Sequence, residues 1–179
     1  EYPALMPHFH LSLQSGSKAV LERMRRHYDP DEYFESLKKL RAIRPEVAIT
    51  TDIIVGFPKE TEEEWQETLA FAKKCRFSEI HVFPFSPRKG TYAATLPDLS
   101  PEIKKKRVHE LLSLSKEMRK EYEEAFYGKE LPVLFEEYDE EKQLAYGHTP
   151  NYLLVAKESK TDITSSIVSV VYTKKNALD

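Results

Sequence analysis

Cysteine is almost absent from this chain of 179 residues, where Cys75 stands alone. One thiol excludes an internal disulfide, and equally a self-contained iron–sulfur or cysteine-rich zinc site. Long apolar runs are also missing. None approaches the roughly 20 residues needed to cross a bilayer. Residues 1–13 lack the basic start and extended apolar stretch of a secretory signal. With 40% hydrophobic and 32% charged residues, the expectation is a cytoplasmic globular protein of one or two domains, without a membrane partner. Glycine is scarce, five residues in all, and nowhere do the glycines form the spaced fingerprint of a phosphate loop. That counts against an unrelated β/α enzyme with a phosphate-binding rim. Charge of one sign is lacking too, since the formal net charge is only −3. Acidic and basic residues balance through residue 127 and the remainder is mildly acidic, so any contact with nucleic acid must come from local patches.

Three segments of one plan stand out. His8-Phe9-His10-Leu11-Ser12-Leu13-Gln14-Ser15-Gly16, the run from Thr50 to Pro58, and the run from Ile80 to Thr91 are apolar stretches. Each ends abruptly in small polar residues and glycine. A strand has this form when its carboxyl end brings backbone and short side chains close to a ligand. Three such ends predict one ligand-binding rim on an α/β sheet.

Helical patterns separate the strands up to about residue 126. Val20, Leu21 and Met24 begin a short helix after Ser17. Asp29 and Pro30 supply a cap and an N1 proline ahead of Tyr33, Phe34, Leu37 and Leu40. Thr61 with Glu64 forms a capping box before Trp65, Leu69 and Ala72. The longest helix starts at Ser100-Pro101-Glu102, carries the stripe Val108, Leu111, Leu112, Met118, Tyr122 and Phe126, and ends at Gly128. Val47 to Val55 reads as a strand buried on both faces. The tail differs in kind: Leu131–Tyr138, Gln143–His148, Tyr152–Ala156 and Ile167–Tyr172 are short strands with no helix between them. They predict a small antiparallel barrel or sandwich, with the domain boundary near Gly128. Three parallel strands alone leave open edges and an uncovered face. Such a sheet is either a segment of a longer barrel, the preferred reading, or pairs with another copy.

His10 to Ser17, Thr50 to Thr61 and Ser86 to Thr91 together resemble the tRNA methylthiotransferases, a radical S-adenosylmethionine family that adds a methylthio group to adenosine 37. The histidine-rich opening and His81-Val82-Phe83-Pro84-Phe85 are most similar to the branch acting on N6-threonylcarbamoyladenosine. The isopentenyladenosine branch usually has proline where Ser12 stands. The ribosomal-protein branch usually has histidine where Ser15 stands, with acidic residues near Arg88 and Lys89. The resemblance spans essentially the whole chain. It implies that residues 1–127 are the second half of a radical-SAM-type β/α barrel and residues 128–179 a TRAM-like RNA-binding β domain. It implies S-adenosylmethionine and two [4Fe–4S] clusters in the full-length protein. The cluster cysteines are absent from this chain, which is therefore expected to be inactive alone. The implied partner is a tRNA anticodon stem-loop, and the sulfur donor is left open. A noncatalytic tRNA-binding module, and a methylthiotransferase acting on isopentenyladenosine 37, are the competing readings.

The implied reaction replaces an aromatic C–H with C–S–CH3. That hydrogen is not acidic enough for a side-chain base, so positioning and water exclusion are the protein's task, and no catalytic acid or base is evident. Gln14, Ser15 and Ser17 are candidates for the ribose or amino-acid part of S-adenosylmethionine, and Gly16 would let the backbone approach. The alternative for this stretch is a strand-to-helix turn capped by Ser17. Asp52 either meets the ligand or pairs with a neighbouring strand, since an unpaired buried carboxylate is costly. Ile54 and Gly56 resemble the adenine-supporting strand, although the family usually has glycine where Lys59 stands. Phe83, Phe85 and Ser86 either flank the adenine or belong to the core. Arg88 and Lys89 reach the cofactor carboxylate, RNA phosphates or solvent. His8 and His10 share a strand face, but no third ligand is evident, so no metal site is expected. Cys75 reads as an inert buried thiol. Lys104, Lys105 and Arg107 belong to a basic helix whose face is either simply solvated or meets RNA phosphate. Tyr146, His148, Asn151 and Tyr152 of the TRAM-like signature either stack on and hydrogen-bond RNA bases or form an ordinary hairpin turn. Exposed strand edges predict self-association.

Overall fold

The computed structural model describes residues 5–178. Two compact units are present. One comprises Phe9–Pro45 and Ile49–Arg119. The other comprises the described part of Glu1–His8, Glu46–Ala48 and Lys120–Asp179.

The first unit is built on a three-stranded sheet in the order β1 (His8–His10), β2 (Ala48–Val55), β3 (Glu79–Pro84). β2 and β3 run parallel with Asp52 beside His81 and Ile54 beside Phe83. A parallel bridge between Gln14 and Ile53 carries the first strand's pairing beyond β1. The connecting helices are α1 (Lys18–Arg23), α2 (Pro30–Ile43) and α3 (Glu62–Cys75); α4 (Pro101–Glu124) follows a short 3-10 turn at Tyr92–Thr95. Both expected caps are present. Asp29 and Glu32 exchange side-chain-to-backbone hydrogen bonds at the start of α2, and Thr61 and Glu64 do so at the start of α3.

Strand alternation sorts the residues of β2. Ile49, Ile53 and Val55 are fully buried with Leu13, Leu37, Trp65, Phe77 and Leu111. Asp52 and Ile54 are only half-buried, and their neighbours His81 and Phe83 on β3 are exposed. The expectation of a strand covered on both faces therefore holds from Val47 to Thr51, where every residue is buried, and fails on one face of the carboxyl half. The buried residues of the helices lie with Ile49, Ile53 and Val55, while the carboxyl half of the opposite face, at Asp52, Ile54, His81 and Phe83, stays open. The stripe of α4 also differs from expectation. Leu112 is 47% exposed, while Arg107 and Ser115 are buried beside Leu111 and Met118. Polar groups take those places because each has a partner. The Ser115 hydroxyl accepts the amide of Ile80, an otherwise unpaired donor of the edge strand β3.

The second unit is a four-stranded antiparallel sheet in the order β6 (Leu154–Glu158), β5 (Leu144–His148), β4 (Glu130–Asp139), β7 (Ile167–Val171). After β7 the chain turns and lies along β6 through the bridge Val155–Ala177, so the sheet curls on itself. Phe126, Val133, Phe135, Ala145, Leu153, Val155 and Tyr172 form its core. No described helix is long and apolar enough to cross a membrane.

Candidate functional site

The open face of the three-stranded sheet gathers most of the unusual chemistry of the first unit. Its carboxyl rim begins at Gln14, which is buried yet held at φ 69°, a left-handed conformation that costs a non-glycine residue roughly 1–2 kcal/mol. The Gln14 amide donates to Asp52 O (2.8 Å) and its carbonyl accepts from Ile54 N (2.9 Å), so both neighbours on β2 enforce the turn. Strain over-determined in this way clusters at binding sites.

Beyond Gln14 the chain turns inward rather than toward a ligand. Ser15 and Ser17 are fully buried. The Ser15 hydroxyl bonds to Thr68 Oγ1 (3.1 Å) and accepts from Ser17 N (3.2 Å), and Gly16 N donates to Thr68 Oγ1 (3.2 Å). A Cβ on Gly16 would lie 2.8 Å from Phe71 Cβ, so α3 is what approaches this glycine. Ser17 occupies the N-cap position of α1, but its side chain makes no capping bond and its hydroxyl lacks a partner among the described residues. Ser15, Gly16 and Ser17 therefore anchor the turn to α3, and their side chains do not face the open surface. Gly56 is at φ 72°, with Lys104 Cγ 2.7 Å from where a Cβ would sit. Its amide donates to buried Glu60 Oε2 (2.9 Å).

Glu60 is the keystone of that loop. Arg107 Nη1 donates to Glu60 Oε2 (2.7 Å), and Arg107 Nη2 reaches Thr61 O (3.2 Å) and Glu62 (3.2 Å). Burial pushes the Glu60 carboxyl up, opposed by Arg107 and the Gly56 amide. Arg107 is 3% exposed, which corrects its assignment to an RNA-facing surface. A guanidinium buried against a carboxylate is out of reach of a phosphate in solvent. Lys104 is similarly engaged with Asp98 Oδ2 (2.6 Å) and Phe85 O (3.0 Å), whereas Lys105 is exposed. Cys75 is buried and its thiol is pushed up to about 12 by burial. Cys75 thus offers no exposed thiolate to an iron–sulfur cluster.

Asp52 does pair with the neighbouring strand. Its Oδ2 accepts from Ser12 Oγ (2.7 Å) and lies 3.1 Å from His10 Nε2. Desolvation would raise its carboxyl, but Ser12, His10 and His81 prevail and hold it below the ordinary value. One donor atom each from His10, Asp52 and His81 lies within 4.8 Å of the other two. This grouping was not anticipated, because its third member comes from another strand. Register gives the clue: Asp52 pairs directly with His81. Toward the rim follow Ile54, Phe83 (51% exposed), Ser86 and Arg88, the last two also exposed. These residues and Gln14 present apolar, hydroxyl and cationic groups suited to a nucleoside bearing a carboxylate. On that count the open face fits S-adenosylmethionine.

In the second unit the signature residues divide. Asn151 is buried, donating to Tyr122 Oη (2.9 Å) and accepting from Thr149 Oγ1 (2.7 Å), so its amide builds the turn instead of meeting RNA. Tyr152 is 56% exposed at φ 67°. Its ring stacks between His8 (4.8 Å) and His148 (4.5 Å). Tyr146 is half-buried on β5.

Residues 1–72 match the radical SAM superfamily. The chain is 43% identical over 170 residues to the threonylcarbamoyladenosine tRNA methylthiotransferase MtaB of Bacillus subtilis, covering 93% of this chain and 38% of that protein. It is 47% identical over 137 residues to the MtaB of Thermotoga maritima, covering 76% of this chain and 32% of the relative. The tRNA-2-methylthio-N(6)-dimethylallyladenosine synthase of Syntrophotalea carbinolica is 39% identical over 168 residues, with 93% and 38% covered. The chain thus spans less than two-fifths of the length of these relatives. Among solved structures, coproporphyrinogen III oxidase (HemN) of Escherichia coli, a radical SAM enzyme, superposes with a TM-score of 0.54 at 17% identity, over 87% of this chain and 41% of that one. That likeness establishes the fold alone.

Proposed function

Because this chain belongs to the tRNA methylthiotransferases of the radical S-adenosylmethionine superfamily, we propose that the protein carrying it adds a methylthio group to C2 of N6-threonylcarbamoyladenosine 37. The observation that carries the reading is the 43% identity to a threonylcarbamoyladenosine enzyme across nearly the whole chain. Ser12, in place of the usual proline of the isopentenyladenosine branch, supports the same choice. Residues 1–127 are proposed as the second half of the barrel and 128–179 as a TRAM-like domain that grips an anticodon stem-loop. A cytoplasmic location accords with that substrate.

When bound, S-adenosylmethionine and the clusters supply the radical and sulfur chemistry. The residues of this chain bind and orient. Ile54 and Phe83 offer apolar surface to an adenine, Gln14 and Ser86 hydrogen bonds to ribose, and Arg88 a partner for the carboxylate. Asp52 offers a carboxylate to an ammonium or hydroxyl. Ser15, Gly16, Ser17, Gly56 and Glu60 hold the rim in shape behind them. Tyr152, His148, Tyr146 and Lys105 are proposed to meet RNA, the rings by stacking and the lysine by charge. With no cluster ligand of its own, the chain alone is proposed to be inactive.

The test is reconstitution of the whole protein with iron and sulfide, followed by incubation with S-adenosylmethionine, reductant and tRNA bearing threonylcarbamoyladenosine. Nucleosides are then read by mass spectrometry. The methylthio product is expected. Unmodified tRNA from a preparation that still cleaves S-adenosylmethionine would overturn the reading. The relative from Syntrophotalea, at 39% identity, favours isopentenyl-type tRNA as the second substrate to try. Product on that tRNA alone reassigns the branch.

A further inference from the structure

The two imidazoles on the open sheet face have no task in the cofactor reading above, and Asp52, offered there to an ammonium or hydroxyl, is already paired with His10. His10, Asp52 and His81 come from three adjacent strands, and no short sequence motif joins them. We propose that they bind one divalent transition-metal ion of borderline softness, with Zn2+, Co2+ and Ni2+ as its class. Two nitrogen donors and a carboxylate are the donor set such ions prefer, whereas Mg2+ and Ca2+ prefer oxygen throughout.

The surroundings match a ligand set in three respects. First, the donors are close but not locked. One atom from each lies within 4.8 Å of the others, and donors about 2.1 Å from a common ion are separated by roughly 3.0–3.4 Å. The His81 side chain is 45% exposed, so rotation about its own torsions closes the difference without moving the sheet. Second, His10 is oriented from behind. Its Nδ1 lies 3.0 Å from Thr50 Oγ1, leaving Nε2 aimed at Asp52. Metal-ligating histidines are characteristically fixed in this way through their other nitrogen. Third, His10 Nε2 and Asp52 Oδ2 already lie 3.1 Å apart, the separation expected of two donors on one ion. Ser12 Oγ, 3.2 Å from His10 Nε2 and 2.7 Å from Asp52 Oδ2, offers a hydroxyl at the remaining position.

The site adjoins the rim. Asp52 O accepts the amide of Gln14 (2.8 Å), and Ile54 and Phe83 follow Asp52 and His81 by two residues, about 7 Å along a strand at roughly 3.3 Å per residue. The ion and a ligand on the rim occupy neighbouring positions on one face. The inference does not depend on the methylthiotransferase reading, since the donors are present whatever binds above them.

Co2+ titration of the 179-residue chain tests the proposal, with visible ligand-field absorption reporting coordination and equilibrium dialysis reporting stoichiometry. One equivalent is expected. Asp52→Asn and His81→Ala should each weaken binding at least about 10-fold. His109→Ala, on exposed α4 surface, should leave it unchanged. Far-UV circular dichroism of the metal-free variants checks their folding. Paramagnetic broadening of histidine ring resonances in the unsubstituted chain gives a readout that needs no variant. It should reach His10 and His81 first. Absence of a saturable single equivalent, affinity indifferent to both substitutions, or broadening centred on His8 and His148 would each overturn the site.

Discussion

Lys59 shows what one residue contributes when its backbone angle is fixed by its neighbours. It sits at φ 65° in the loop that carries Gly56 to Glu60, where the similar family usually has glycine. The loop keeps the left-handed turn because Glu60 N donates to Phe57 O (2.9 Å) and the Glu60 side chain holds Gly56. The lysine therefore bears strain that glycine would not, partly offset by the larger unfolded-state entropy of glycine. Lys59→Gly is expected to stabilise the chain by up to about 1 kcal/mol, read as a higher urea midpoint at unchanged slope. Glu64 makes the electrostatic counterpart. It receives both Arg23 Nη atoms, at 2.8 and 2.5 Å, while closing the cap of α3. The Arg23 hydrogen bond holds its carboxyl below the ordinary value against the opposing effect of burial. A carboxyl depressed by folding stabilises the protein above its unfolded pKa, and that stability is lost as pH falls through the folded value. Glu64→Gln should cost about 1.5 kcal/mol near neutrality, and the difference from the parent chain should shrink as pH falls below the ordinary carboxylate range. A pH-independent difference in paired urea melts would count against this.

Elements here hold their shape through contacts that admit only one residue. β4 carries a bulge between Phe135 and Glu137, and Gly147 of β5 lies opposite Phe135. A Cβ on Gly147 would sit 2.1 Å from Leu134 O, inside contact with backbone that cannot retreat without breaking the ladder. Gly147→Ala is expected to destabilise the second unit by about 3 kcal/mol, seen as lost near-ultraviolet dichroism from its tyrosine-rich core. Gly128→Ala, where open space surrounds the glycine, carries only the backbone cost of φ 82°, so its loss should be distinctly smaller. In α4 the decisive element is the buried pair of Arg107 with Glu60. Arg107→Ala strands a buried carboxylate and should cost about 3–5 kcal/mol. Arg107→Ala combined with Glu60→Gln should recover part of that loss in the same urea assay.

Over the molecule as a whole, the open face is the dominant physical fact. Phe83 is 51% exposed beside half-buried Ile54, and the outer edge of β3 finds only partial cover from Ser115. Apolar surface next to unpaired strand groups invites association. In sedimentation velocity, the weight-average sedimentation coefficient of the chain should rise with concentration. A single monomer boundary at every concentration would refute this. Salt distinguishes the RNA contacts at the same scale. If Lys105 and the ring stack carry binding, affinity for a stem-loop should fall with salt less steeply than for a protein making six or more phosphate contacts, because Lys104 and Arg107 are spoken for internally.

Local chemistry alone determined much of this. Among the described residues, caps, periodicity and strand ends in the sequence located α1 to α4, the three strands of the first sheet and the four antiparallel strands, though not the 3-10 turn at Tyr92–Thr95, because each signal acts within a few residues. The long motifs likewise identified the family. Tertiary structure decided which polar groups are free. Ser15, Ser17, Arg107 and Asn151 looked available in sequence and are buried against Thr68, α1, Glu60 and Tyr122. Leu112 looked buried and is exposed. A side chain's partner is set by strand register and helix placement tens of residues away, which no local pattern encodes. The same reason hid the grouping of His10 with Asp52 and His81, whose donors meet only when β1, β2 and β3 lie side by side.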